Sequence, residues 1–79
     1  MKIDSKLVDI VCERFGEKYR NVITENTGMY DIPEWDSLSF IELILAIEER
    51  YSVQITPDEA VMMGRLSEIQ KIISEKVGS

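Results

Sequence analysis

Ile3, Leu7, Val8, Val11 and Phe15 recur three and four residues apart, which sets them along one face of a helix. Asp4 or Ser5 suits its N-cap, and Gly16 suits its end. A second helix is predicted from Ser37 to Tyr51, with Asp36 as its N-cap. Glu34 and Asp36 both complement the positive end of that helix. Its apolar positions are too many for one stripe. Phe40, Leu43, Ile44, Ile47 and Tyr51 form one face, while Leu38, Ile41 and Leu45 form another, interleaved with Glu42, Glu48 and Glu49. A helix apolar on two sides needs either burial or a partner. Thr56-Pro57-Asp58-Glu59 is a strong helix start: a threonine cap, proline at the first helical position and a glutamate to close the capping box. That third helix should be short, reaching Met62, with Gly64 ending it. Leu66, Ile69, Ile72, Ile73 and Val77 predict the inner face of a last helix.

Residues 17–36 show no sustained helical period. Such a connection is long for a small domain. It is not polar filler, because Val22, Ile23, Met29, Tyr30, Ile32 and Trp35 are scattered through it. It is expected to pack back on the helices, with Trp35 as its anchor in the core. Pro33 should hold Ile32 extended. The predicted fold class is all-α: a small antiparallel four-helix bundle, with three longer helices, one short third helix and a long first loop. Residues 1–79 are expected to form one domain, without repeats or low-complexity tracts.

A chain of 79 residues has little room for a deep enclosed active site. Cys12 is the only cysteine and lies at the border of the first apolar face, so it reads as a core thiol with no internal disulfide to make. The N-terminal residues lack the apolar core of a signal peptide, and the longest apolar run, Leu43 to Ile47, is too short to span a bilayer. A cytoplasmic protein without membrane insertion is expected.

The formal net charge of −6 is unevenly placed. Residues 31–60 hold eight acids against one base, Arg50, so the negative excess lies around Ser37 and the helix behind it. Such a field repels nucleic acid and steers towards basic protein patches.

The chain has no histidine, which removes the commonest general base and neutral metal ligand. The acids after Asp31 do not make a calcium loop, because Asp36 stands where that loop needs glycine. No glycine-rich phosphate loop is present. Neither a catalytic residue set nor a metal site is predicted. Ser37 is different: a serine at a helix mouth meets free N–H groups and partial positive charge, which favour an attached phosphate.

Asp36-Ser37-Leu38 near the middle of a small acidic helical chain resembles the acyl and peptidyl carrier proteins. The likeness extends over nearly the whole chain. Glu42-Leu43, Ala46-Ile47-Glu48-Glu49 and Tyr51 look like that family's second helix. Ile55-Thr56-Pro57-Asp58-Glu59-Ala60 is similar to its third-helix entrance, and Leu66 with Ile69 to Ile73 to its last helix. The resemblance implies that Ser37 receives 4′-phosphopantetheine from coenzyme A through a phosphopantetheinyl transferase that uses magnesium. Asp36 would help present the serine. The arm's thiol would hold an acyl or aminoacyl group as a thioester. Leu38, Ile41, Glu42, Leu45, Glu48 and Glu49 match the family's partner-recognition helix. The implied partners are the transferase, an acyl- or aminoacyl-loading ligase and a downstream transferase or synthase, all served by a monomeric shuttle rather than an enzyme. The alternative is an unmodified helical adaptor that keeps the carrier fold.

The chain departs from the family pattern in places. Glu34-Trp35 stands where fatty-acid and peptide-synthetase carriers usually have glycine. The Trp-Asp-Ser-Leu form resembles specialised stand-alone carriers, including those of cell-envelope or secondary pathways. Ser39 replaces a common acid, and Arg65 a common threonine. Val61, Met62 and Met63 make the third-helix region more apolar than usual. These methionines could line a cargo groove, although core filling is expected of at least one. The departures alter the expected partner surface and cargo rather than the carrier role.

Overall fold

A computed structural model describes residues 3–78. Among them are four α-helices: α1 (Ser5–Phe15), α2 (Ser37–Tyr51), α3 (Pro57–Val61) and α4 (Leu66–Val77). A single 3-10 turn, Glu17–Tyr19, opens the long first loop. The start of α1 meets the end of α2, where the Tyr51 hydroxyl donates to Asp4 at 2.6 Å. The end of α1 meets the approach to α2, where Phe15 stacks on Trp35. The two helices therefore run antiparallel, in a small all-α bundle of the predicted class.

The core takes Leu7, Ile10, Val11 and Phe15 from α1, Leu43 and Ile47 from α2, and Leu66, Ile69, Ile72 and Ile73 from α4. Ile10 completes the stripe begun at Leu7, while Val8 moves to its half-buried edge. Met63 is the methionine that fills the core. Cys12 is buried, and that burial pushes its thiol up, away from the reactive thiolate. Val77 is exposed, contrary to the inner-face expectation, because it closes the last turn of α4.

Each helix end has an identifiable cause. Gly16 ends α1 with φ 129°, a conformation that L side chains rarely adopt. Asp4 stands at the α1 N-cap without a side-chain capping bond, its carboxylate being used by Tyr51 instead. Thr56 and Glu59 form the predicted capping box, with Glu59 N–H donating to Thr56 Oγ1 at 3.2 Å and Thr56 N–H to Glu59 Oε1 at 2.9 Å. The third helix stops with Met62 as its C-cap, before Gly64. Gly64 instead offers its carbonyl to Met29 N–H, at 3.4 Å.

That bond is part of how the long loop holds the bundle. Leu66 N–H donates to the Thr27 carbonyl at 2.9 Å, and Ser67 N–H to the Glu25 carbonyl at 2.8 Å. The loop thereby satisfies donors at the α4 N-terminus that have no intrahelical partner. Ile32 and Trp35 are buried, and Ile23 and Met29 are half-buried, so the loop does pack back. Val22 and Tyr30 do not share in this and are exposed. Pro33 sits inside a turn closed by Trp35 N–H to the Ile32 carbonyl, at 3.0 Å.

Candidate functional site

Asp36 is extended at the N-cap of α2, and its Oδ1 accepts the Ser39 N–H at 2.9 Å. This backbone bond holds the carboxyl below the usual carboxylate range. Ser37 is the first residue of the helix and is exposed. No group among the described residues bonds its hydroxyl. Ser37 thus combines a free nucleophilic oxygen with a helix mouth that favours negative charge.

Trp35 fixes the position of that mouth. It is 3% exposed, stacks on Phe15 with centroids 5.5 Å apart, and tilts against Phe40 at 6.3 Å. The residue just before the N-cap is therefore held from the core, as expected for a loop anchor. A second clamp lies on the surface. Glu34 accepts the Tyr19 hydroxyl at 2.5 Å and pairs with Lys18 at 3.1 Å. The Tyr19 bond leads in lowering the Glu34 carboxyl pKa. Trp35 and Glu34 together tie the end of the loop to its beginning.

Behind the serine, Leu38, Ile41 and Leu45 are all exposed. They fall on one side of α2, opposite the buried Leu43 and Ile47. This is an apolar row directly beside the serine, as the two-faced pattern predicts. The three glutamates of the same helix are not equivalent. Glu42 faces Arg14 of α1 at 3.6 Å. Glu48 accepts the Ile55 N–H on its Oε2 at 2.8 Å, bracing the connection into α3. Glu49 has no ion-pair partner among the described residues. The sequence groups these acids by helix face, whereas internal pairing separates them.

The residues around Ser37 suit a phosphodiester-linked arm. The serine oxygen is open, and the buried Trp35 and the capped helix start hold it in one place. The tyrosine at position 30 is a surface feature that hydrophobic patterning assigns to the packed loop. It stands in a turn closed by Asp31 N–H to the Gly28 carbonyl at 3.0 Å, and is exposed.

The family model described as "Phosphopantetheine attachment site" matches residues 5–73. The chain is 33% identical to the acyl carrier protein of Rickettsia massiliae (strain Mtu5) over 75 residues, covering 95% of this chain and 86% of the relative. The acyl carrier protein of Rickettsia prowazekii (strain Madrid E) is similar to the same extent, 33% over 75 residues with the same coverage. That of Rickettsia canadensis (strain McKiel) is 32% identical over 75 residues, again covering 95% of this chain and 86% of the relative.

Proposed function

The chain belongs to the phosphopantetheine-bearing acyl carrier family, and we propose that Ser37 is the residue that carries its arm. The protein is a carrier and not a catalyst, with 4′-phosphopantetheine as its covalent cofactor. When attached, that group supplies a terminal thiol on which cargo is held as a thioester.

The single observation that carries the assignment is the exposed, unbonded Ser37 hydroxyl at the first position of α2. The chain's own residues do three things there. Trp35 and the Asp36 cap hold the helix mouth still, so the serine is presented in a fixed place. Asp36 keeps a carboxylate beside the serine, where a partner's cation or a metal ion can be received. The backbone dipole of α2 favours the phosphate once it is attached.

Family membership implies encounters with a phosphopantetheinyl transferase and with synthase or transferase enzymes. Leu38, Ile41 and Leu45 supply the apolar contact for these partners, while Glu42, Glu48 and Glu49 supply the field that attracts their basic surfaces. Because Glu48 is occupied by Ile55, Glu49 is the freer contact. A monomeric, cytoplasmic shuttle fits the acidic composition and single buried cysteine. No helix among the described residues is long and apolar enough to cross a membrane.

The test is intact mass after incubation with coenzyme A, magnesium and a broad-specificity transferase. Gain of one phosphopantetheinyl unit by the wild type and none by Ser37→Ala is the expected result. No gain across several transferases, or equal gain by Ser37→Ala, would overturn the assignment.

A further inference from the structure

The end of α1 carries Glu13 and Arg14 side by side, both exposed, and each reaches a charge on α2. Arg14 Nη1 lies 3.6 Å from Glu42 Oε1. Arg50 Nη2 donates to Glu13, 3.2 Å from its Oε1 and 3.3 Å from its Oε2. Glu13, Ala46, Glu49 and Arg50 line one open groove between the two helices.

The two pairs treat the acids of α2 differently. Glu42 stands four residues after Leu38 and three before Leu45, so it flanks the exposed row. It is also the acid of α2 nearest in sequence to Ser37. A cation from α1 covers it. Glu49 is next to Arg50, the one base among residues 31–60, yet Arg50 pairs with Glu13 rather than with Glu49. The Glu13-Arg14 dipeptide thus masks one carboxylate and draws the local cation to itself beside another. The Arg14–Glu42 pair is open to solvent, with side chains 39% and 46% exposed. Such a pair contributes little to stability. It changes far more what an approaching enzyme meets, which is an ion pair in place of a bare carboxylate.

Resting on the carrier reading above, we propose that Arg14 is a specificity-determining residue for arm attachment. It covers Glu42 against the basic surface of the phosphopantetheinyl transferase, so that Glu49 leads the steering. The transferase is the partner concerned, because it acts on Ser37 itself and must seat at the start of α2, where Glu42 lies. Arg14 also sets its own charge against any base brought to that place, a repulsive element of the kind that separates partners.

The kcat/KM of arm attachment is measured by intact mass at low salt, with coenzyme A, magnesium and a purified transferase whose docking surface is basic. Arg14→Gln should react about threefold faster than the wild type, the scale of one exposed ion pair. Arg14→Lys keeps the cation and should react as the wild type does. Glu42→Gln should match the wild type, and so should the double variant, since Arg14 then has no carboxylate to cover. Lys71→Gln takes the same charge from α4 and should change the rate little. Salt should erase the gain in Arg14→Gln. A lowered Tm in that variant does not imitate this pattern, because a structural loss would not depend on Glu42. The proposal is overturned by an Arg14→Gln that is no faster, by an equal gain in Lys71→Gln, or by a double variant that keeps the gain. A wild type that never gains the arm would instead defeat the Ser37 assignment, and this proposal with it.

Discussion

Trp35 stacks on Phe15, with ring centroids 5.5 Å apart and planes 22° from parallel. The contact joins the end of α1 to the residue just before the α2 N-cap, across the whole first loop. It therefore couples the packing of the core to the place where the serine is presented. A buried indole thus holds the helix mouth.

Trp35→Ala should cost about 3–5 kcal/mol, the range for removing a large buried aromatic. Trp35→Phe should cost less. It keeps a ring between Phe15 and Phe40 and removes the indole Nε1–H, which is buried without a hydrogen-bond partner. Such an unpartnered donor costs roughly 1–3 kcal/mol. Urea unfolding followed by circular dichroism measures both. A Trp35→Phe variant as unstable as Trp35→Ala would mean that the indole shape, not the ring, is what the core requires.

Gly28→Ala should destabilise by about 1–3 kcal/mol, as overpacking does. A Cβ there would lie 2.6 Å from the Gly64 carbonyl oxygen, a backbone atom that cannot swing aside. Gly64→Ala should be tolerated, because its nearest new neighbour is Glu68 Oε1 at 3.6 Å, the end of a flexible side chain. Paired urea midpoints test the asymmetry. Equal losses at the two glycines would show that the close approach relaxes freely.

Helical periodicity and capping residues made the four helices legible in the sequence. The capping box at Thr56 and Glu59 and the N-cap at Asp36 were readable because their bonds span only three residues. The serine was legible for the same local reason. Less accessible were relationships between distant parts of the chain. Ile55 lies seven residues beyond Glu48, and Gly28 meets Gly64 across more than thirty. Asp4 does stand at the α1 N-cap, as one of the two residues suited to it, but its carboxylate makes no capping bond and is taken by Tyr51 from 47 residues away. Periodicity also says nothing of where a stripe leaves the core, and Val77, the last residue of α4, is exposed although it continues the inner stripe.

Glu48 and Glu49 should respond oppositely to substitution. Glu48→Ala frees the part-buried Ile55 N–H and should cost about 1 kcal/mol. Glu48→Gln should largely restore stability, since an amide oxygen can accept the same bond. Glu49→Gln should leave the Tm unchanged and slow encounter with a basic transferase, most visibly at low salt. Thermal melts and the salt dependence of arm attachment separate the two roles. Loss of Tm in Glu49→Gln would show that this side chain, too, is structural.

Acid should weaken the fold through the helix caps, and Asp36 provides the clearest case. Its carboxyl is held below its ordinary value because the ionised form accepts the Ser39 N–H. A folded-state pKa below the unfolded one means that the folded protein holds this proton less readily. The stabilisation is therefore complete above the unfolded value, about 4, and is lost as pH falls through the lower folded value. Glu59 contributes in the same sense, its carboxyl lowered chiefly by the Thr56 N–H. The wild-type Tm should thus stay nearly level from pH 7 to about 5 and fall towards pH 3, as these carboxylates take up protons. Asp36→Asn isolates one of them, because asparagine caps a helix about as well as aspartate but does not titrate. Its Tm should lie below the wild type at pH 7, where the charge also favours the helix dipole. The gap should then narrow towards pH 3. A gap that stays constant across that range would show that the charge on Asp36 contributes nothing to the stability of the helix mouth.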